Sequence, residues 1–152
     1  VDKQEFGDIK GVTDKGYYDN SFHVSSRINM SPFDKLRLEA LGHKYSAGGH
    51  ISYIETDSLT KNLDAIPDIL RYAKMVGIHY MGINQPVDKC HICGYKGEFT
   101  ATKEGFTCPQ CGNHDSNEMS VIRRVCGYLS QPNARPFNKG KQEEIMHRVK
   151  HS

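Results

Sequence analysis

Four cysteines set the first question. Cys90 and Cys93 form one Cys-x-x-Cys pair, Cys108 and Cys111 form a second, and 14 residues lie between the pairs. Four thiolates at this spacing make a closed tetrahedral set suited to structural zinc. Gly94 and Gly112 follow the two pairs and let the chain turn tightly without a Cβ clash. A site closed by four sulfurs has no open position for water, so its metal braces the chain rather than catalyses. His91 and His114 stand nearby as alternative ligands, but four cysteines in register need neither. An iron–sulfur or redox use of the same thiols is the rival chemistry. A fifth cysteine, Cys126, is left over beside Gly127, within RRVCGYLSQPNARPFNKGKQEE (Arg123 to Glu144). That run has no zinc spacing, no nucleophile–base pair and no phosphate loop. By local rules Gly127 is a turn glycine.

The elements around these residues are legible to different degrees. GEFTATKEGFT reads as a hairpin, with Phe99 and Phe106 on either side of a turn at Lys103-Glu104-Gly105; between two cysteine pairs, that is a zinc ribbon. SPFDKLRLEALGHK reads as a helix, with Ser31 as N-cap, Pro32 at the first position, Asp34 in the first turn and Gly42 as the stop. LTKNLDAIPDILRYAKMVG places Leu63, Ile66, Leu70 and Ala73 on one helical face, ends at Gly77 and should kink or restart at Pro67. Gly48–Glu55 and Ile78–Asn84 read as strands, and residues 5–26 as extended chain. The alternation of strand and helix makes the class α/β, with too few strands before residue 86 to close a sheet alone. Three parts are expected: 1–86, part of a larger α/β barrel or sheet; 87–117, the zinc ribbon; and 118–152, a loop-like tail ending in a helix at Lys141–Val149.

Bulk properties exclude more than they assign. The 152 residues contain no Trp and are 37% hydrophobic, which allows a modest core. Residues 1–120 carry 13 Lys/Arg against 16 Asp/Glu, and residues 121–152 carry 7 against 2. A basic tail can meet a polyanion, but a solvated surface is the plainer reading. No apolar run approaches the roughly 20 residues of a membrane span, and there is no secretory signal. Cysteines spaced for a metal favour a reducing compartment, so the expected location is cytoplasmic. The chain opens on Val1 rather than Met, as the C-terminal piece of something longer would.

VIRRVCGYLSQPNARPFNKGKQEEI resembles the glycyl-radical loop of the anaerobic (class III) ribonucleotide reductases. The specific core is RVCGYL, Arg124 to Leu129, followed by ARPFNKGKQEE. CGYKGEFTATKEGFTCPQCGNHD is similar to the same family's zinc ribbon, and GVTDKGYYDNSFH (Gly11 to His23) to a segment of its barrel. The three motifs stand in the family's order, and the likeness runs through essentially the whole chain, toward the phage and enterobacterial members. Pyruvate formate-lyase has a related loop with Ser in place of Cys126, but lacks the ribbon.

The resemblance implies a function. An iron–sulfur activating enzyme would use S-adenosylmethionine to remove a hydrogen atom from the Gly127 Cα. The radical spreads over the flanking amide and carbonyl, which needs a planar Cα that a Cβ would crowd. The stored radical would then generate a thiyl on a barrel cysteine, which attacks the ribose of a ribonucleoside triphosphate. Neither that cysteine nor the family's nucleotide regulatory site lies in this chain, and Cys126 does not take the thiyl role. Alone, the chain should be inactive; its implied partners are the N-terminal remainder, the activating enzyme and, in the full enzyme, a second copy. No membrane and no direct nucleic-acid contact is expected. Two rival readings are a stand-alone spare radical domain and a zinc-ribbon adaptor that binds nucleic acid through the basic tail. Tyr17, Tyr18, Asn20, Ser21 and His23 are candidates to face an active site. Asn133 and Arg135 are candidates to hold the loop. The tail could dock on the barrel, although a solvated terminal helix is the preferred reading.

Overall fold

The computed structural model describes residues 2–19, 23–57, 59, 62–125, 128–130 and 137–151, with backbone alone for Val125, Tyr128 and Ser130. Helix α1 (Asp2–Phe6) buries no side chain and leads into turns. The extended chain expected over 5–26 does not form: no strand occurs there among the described residues. Local bonds satisfy the backbone instead. Thr13 Oγ1 accepts from the Ile9 N–H at 2.7 Å and donates to the Gly7 carbonyl at 2.6 Å, and Asp14 accepts from the Gly11 N–H at 2.8 Å. Short polar side chains that bond nearby backbone compete directly with strand pairing.

Helix α2 spans Pro32–His43, with Ser31 Oγ accepting from the Asp34 N–H at 3.1 Å as its N-cap. Gly42 does not stop it. A Cβ there would stand 2.7 Å from the His50 ring, so the glycine serves a close approach, and the helix runs on to His43. Strand β1 (Ser52–Glu55), helix α3 (Ala65–Val76) and strand β2 (Met81–Asn84) follow as a βαβ unit. The two strands are parallel, with Ile54 opposite Ile83. Pro67 causes no kink because it sits in the first turn of α3, where a backbone N–H has no partner within the helix. The packed stripe of α3 is Ile69, Tyr72, Ala73 and Val76. The face read from the sequence is shifted from this one, for Leu63 is 63% and Leu70 49% exposed. Leu36 and Ile54, both fully buried, complete the core.

The cysteine-bearing part is built on strand β3 (Asp88–Cys90), which pairs antiparallel with β4 (Lys96–Gly97) on one side and β7 (Met119–Ser120) on the other. Strands β5 (Thr100–Thr102) and β6 (Gly105–Thr107) form the expected hairpin, with Ala101 opposite Phe106. A second core of Cys90, Phe99, Cys108, Met119 and Val121 lies beneath. The last residues are not simply loop-like. Strands β8 (Arg123–Val125) and β9 (Tyr128–Ser130) pair antiparallel, and helix α4 covers Lys139–His147, capped by Asn138. Nor is the tail solvated. Glu144 is buried, the Val149 N–H donates to the Ser26 carbonyl at 2.8 Å, and the His151 N–H donates to the Glu55 carbonyl at 2.8 Å. Among the described residues, no helix is long and apolar enough to cross a membrane.

Candidate metal centre and the adjoining hairpin

The four Sγ atoms of Cys90, Cys93, Cys108 and Cys111 all lie within 4.8 Å of one another. Cys90 to Cys111 and Cys93 to Cys108 are each 3.7 Å. A zinc ion with bonds of about 2.3 Å needs tetrahedron edges of about 3.8 Å, whereas a disulfide needs about 2.05 Å. The cluster therefore has the dimensions of a metal site, and none of the four cysteines is in a disulfide. Each pair sits on a matching turn. The Gly94 N–H bonds the Cys90 carbonyl at 3.1 Å, and the Gly112 N–H bonds the Cys108 carbonyl at 2.9 Å. Both glycines have positive φ, 76° and 72°, a conformation that a side chain would strain.

The four thiols influence one another's ionisation. The backbone N–H groups of Cys93 and Ile92, with the Asn113 amide, favour the Cys90 thiolate and lower its pKa to about 6. At Cys93 the Tyr95 N–H acts the same way, but burial and the three neighbouring thiols outweigh it and push the thiol up to about 12. Four sulfurs this close cannot all ionise without a compensating positive charge. The set can hold a metal ion such as zinc. Neither histidine joins it: His91 Nε2 lies 3.0 Å from Ser120 Oγ, and His114 Nδ1 lies 3.5 Å from the Gly112 carbonyl.

The cysteine cluster is wired to β8 by residues that sequence reading missed. Asp88, fully buried two positions before Cys90, accepts from the Phe99 N–H at 2.8 Å, from the Ile122 N–H at 3.3 Å and from the Arg123 guanidinium. Arg123 also donates to the Phe99 carbonyl at 3.2 Å and lies 5.0 Å from the Phe106 ring centre. The next residue faces the other way. Arg124 stacks 4.3 Å over the Tyr53 ring of β1 and donates to its hydroxyl. Alternation along a strand thus sends one arginine to the ribbon and the other to the βαβ unit. The only advance sign was the Arg-Arg pair itself, which names no partner.

Cys126 and Gly127, the two residues between β8 and β9, lie outside the described residues, as do Asn20, Ser21, Asn133 and Arg135. Tyr17 is buried and stacks near the His147 ring of α4, with centres 6.4 Å apart. Tyr18 is exposed and donates to Asp2 at 2.8 Å. His23 packs edge-on to His50 and lies 3.5 Å from the buried Glu39 carboxylate.

A sequence profile described as "Anaerobic ribonucleoside-triphosphate reductase" matches residues 1–151. The chain is 51% identical over 151 residues to the anaerobic ribonucleoside-triphosphate reductase of Escherichia coli K12, covering 99% of this chain and 21% of that protein. It is 50% identical to the enzyme of the same name from Enterobacteria phage T4, covering 99% of this chain and 25% of that one. A solved structure entitled "Anaerobic ribonucleotide reductase" superposes over 85% of this chain and 19% of its own, with a TM-score of 0.59 at 22% identity, a likeness of fold. The chain thus spans about a fifth to a quarter of the length of the curated relatives it matches.

Proposed function

This chain belongs to the anaerobic ribonucleoside-triphosphate reductase family, and from that premise we propose that it is the radical-carrying C-terminal part of such an enzyme. Gly127 stores the radical. An activating enzyme with an iron–sulfur cluster and S-adenosylmethionine removes a hydrogen atom from the Gly127 Cα, and the unpaired electron is shared with the adjacent amide and carbonyl. In the complete enzyme, the radical passes to a barrel cysteine outside this chain and supports reduction of a ribonucleoside triphosphate. Zinc held by Cys90, Cys93, Cys108 and Cys111 supplies folding energy, on the order of 10 kcal/mol in small metal modules, and no chemical step. What carries the reading is the family match through residue 151 combined with the setting of RVCGYL: β8 is tied to the ribbon by Arg123 and to β1 by Arg124.

The parts follow from this. Residues 1–86 contribute to the barrel, 87–117 to the ribbon, and 118–152 to the radical loop and its tail. Leu41 and Met75 are 66% and 72% exposed on α2 and α3. Apolar helix faces of this kind suit cover by the N-terminal remainder of the enzyme. The full assembly is a cytoplasmic homodimer. The nucleic-acid reading of the basic tail is weakened, because Arg123, Arg148 and Lys150 are engaged by Asp88, Glu55, Glu144, Asp57 and Glu98.

Oxygen provides the test. Exposing the activated enzyme to air should cut the chain at Gly127 and release a C-terminal piece of about 25 residues. An intact mass from a radical-bearing sample contradicts the assignment. Elemental analysis should find one zinc per chain; iron in its place overturns the structural role of the ribbon.

A further inference from the structure

A two-stranded hairpin is marginal in water, and β8–β9 has only three residues a side. Its fastening therefore matters as much as its sequence. Arg123 and Arg124 hold it through their side chains, but the backbone is held by a residue from the far end of the chain. Arg148, at the C-cap of α4, donates through Nη1 to the Arg124 carbonyl at 2.7 Å. The same guanidinium meets Glu55 Oε1 at 3.2 Å and Glu144 Oε1 at 2.6 Å. Two carboxylates thus fix the plane of the fork whose donor reaches the hairpin, a geometry a lysine cannot copy. The group is not a surface pair, since its side chain is only 15% exposed, and a helix C-terminus favours its charge. Glu55 is itself gripped from the tail. The His151 N–H donates to the Glu55 carbonyl at 2.8 Å, and the Glu55 N–H donates to His151 Nδ1 at 2.9 Å. Asn84 of β2 donates to Glu55 Oε1 at 3.0 Å, so the clasp closes on the C-terminal ends of both parallel strands.

We propose that Arg148 is a positioning residue for the radical hairpin: it ties the backbone three residues before Gly127 to the strand end at Glu55, so that the C-terminal tail sets where the radical sits and how well it is shielded. This rests on the reading of Gly127 as the radical site. Among the described residues, Arg148 reaches the hairpin through the Arg124 carbonyl.

The experiment uses the complete zinc-loaded enzyme with Arg148→Ala and Arg148→Lys. Removing a hydrogen bond to a charged group typically corresponds to a factor of about 10 or more in a local equilibrium. Amide hydrogen exchange at Arg123–Val125 and Tyr128–Ser130 should therefore be at least tenfold faster in Arg148→Ala. It should be intermediate in Arg148→Lys and unchanged at the ribbon amides of β3 and β7. Zinc content should be the same in all three proteins. After activation, the glycyl electron paramagnetic resonance doublet should decay severalfold faster in Arg148→Ala when 2-mercaptoethanol is added as a small radical scavenger. Wild-type exchange at the hairpin in Arg148→Ala overturns the proposal, as does equal acceleration throughout the ribbon. Failure of wild-type enzyme to give any doublet removes the Gly127 assignment instead, and the exchange data still decide whether the clasp exists.

Discussion

Asp88 shows how a single buried carboxylate can link the cysteine-bearing part of the chain to its neighbour. Its two oxygens receive two backbone N–H groups and a guanidinium, and the residue is almost fully buried. Truncating it leaves the largely buried Arg123 guanidinium without its carboxylate, and breaking a buried ion pair typically costs about 3–5 kcal/mol. Asp88→Ala should therefore loosen β8 while the zinc content stays at one per chain; denaturant unfolding with metal analysis checks both. His151 offers a second test, through pH. Burial, aided by the charge of Lys35, lowers its imidazole pKa to about 4. The ordinary value is 6.5, so between these limits the unfolded chain binds the extra proton. The stability His151 contributes is complete above about pH 6.5 and is lost as pH falls toward 4. Glu39 acts lower down. Burial raises its pKa, but His23 and Lys35 outweigh this and hold it at about 2, so its contribution fades below about pH 4.5. An NMR titration should find the His151 imidazole still neutral at pH 5; a midpoint near 6.5 would show that the tail is not docked in solution.

At the scale of elements, legibility tracked how local the determining contacts are. Ser31, Pro32 and Asp34 set the start of α2 by bonds within four residues, and the sequence alone located it. The Cys-x-x-Cys-Gly turns and the hairpin at Lys103–Gly105 were legible for the same reason. The buried face of α3 was misjudged because Leu63, Ile66 and Leu70 are as apolar as Ile69 and Tyr72. Only packing on Leu36 and Ile54 selects between the two stripes. Hairpin β8–β9 carries no Asn-Gly or Asp-Gly turn signal, and its anchors at Tyr53 and Arg148 lie 71 and 24 residues away. The end of α2 was misread because Gly42 answers to the His50 ring, a neighbour that only the fold brings against it. Leu36, with no exposed surface, provides the check on the core. Leu36→Ala should destabilise the βαβ unit by about 2–5 kcal/mol, read from the shift in the urea unfolding midpoint, and leave the ribbon's metal content unchanged.

For the molecule as a whole, two cores meet at one hairpin: the cysteine cluster grips it through Asp88 and Arg123, and the βαβ unit grips it through Tyr53, Glu55 and the returning tail. Stripping the metal with a strong chelator should unfold the ribbon and free the hairpin on one side while α2, α3 and the parallel strands keep their protection from hydrogen exchange. Loss of protection throughout would mean that the two cores are one cooperative unit. The radical is proposed to rest on Gly127, a residue defined by the side chain it lacks. Electron paramagnetic resonance reads that assignment. The complete enzyme is incubated anaerobically with the activating enzyme, S-adenosylmethionine and a reductant. A glycyl doublet should form and be absent in Gly127→Ala; a doublet that survives that substitution would remove Gly127 as the radical site.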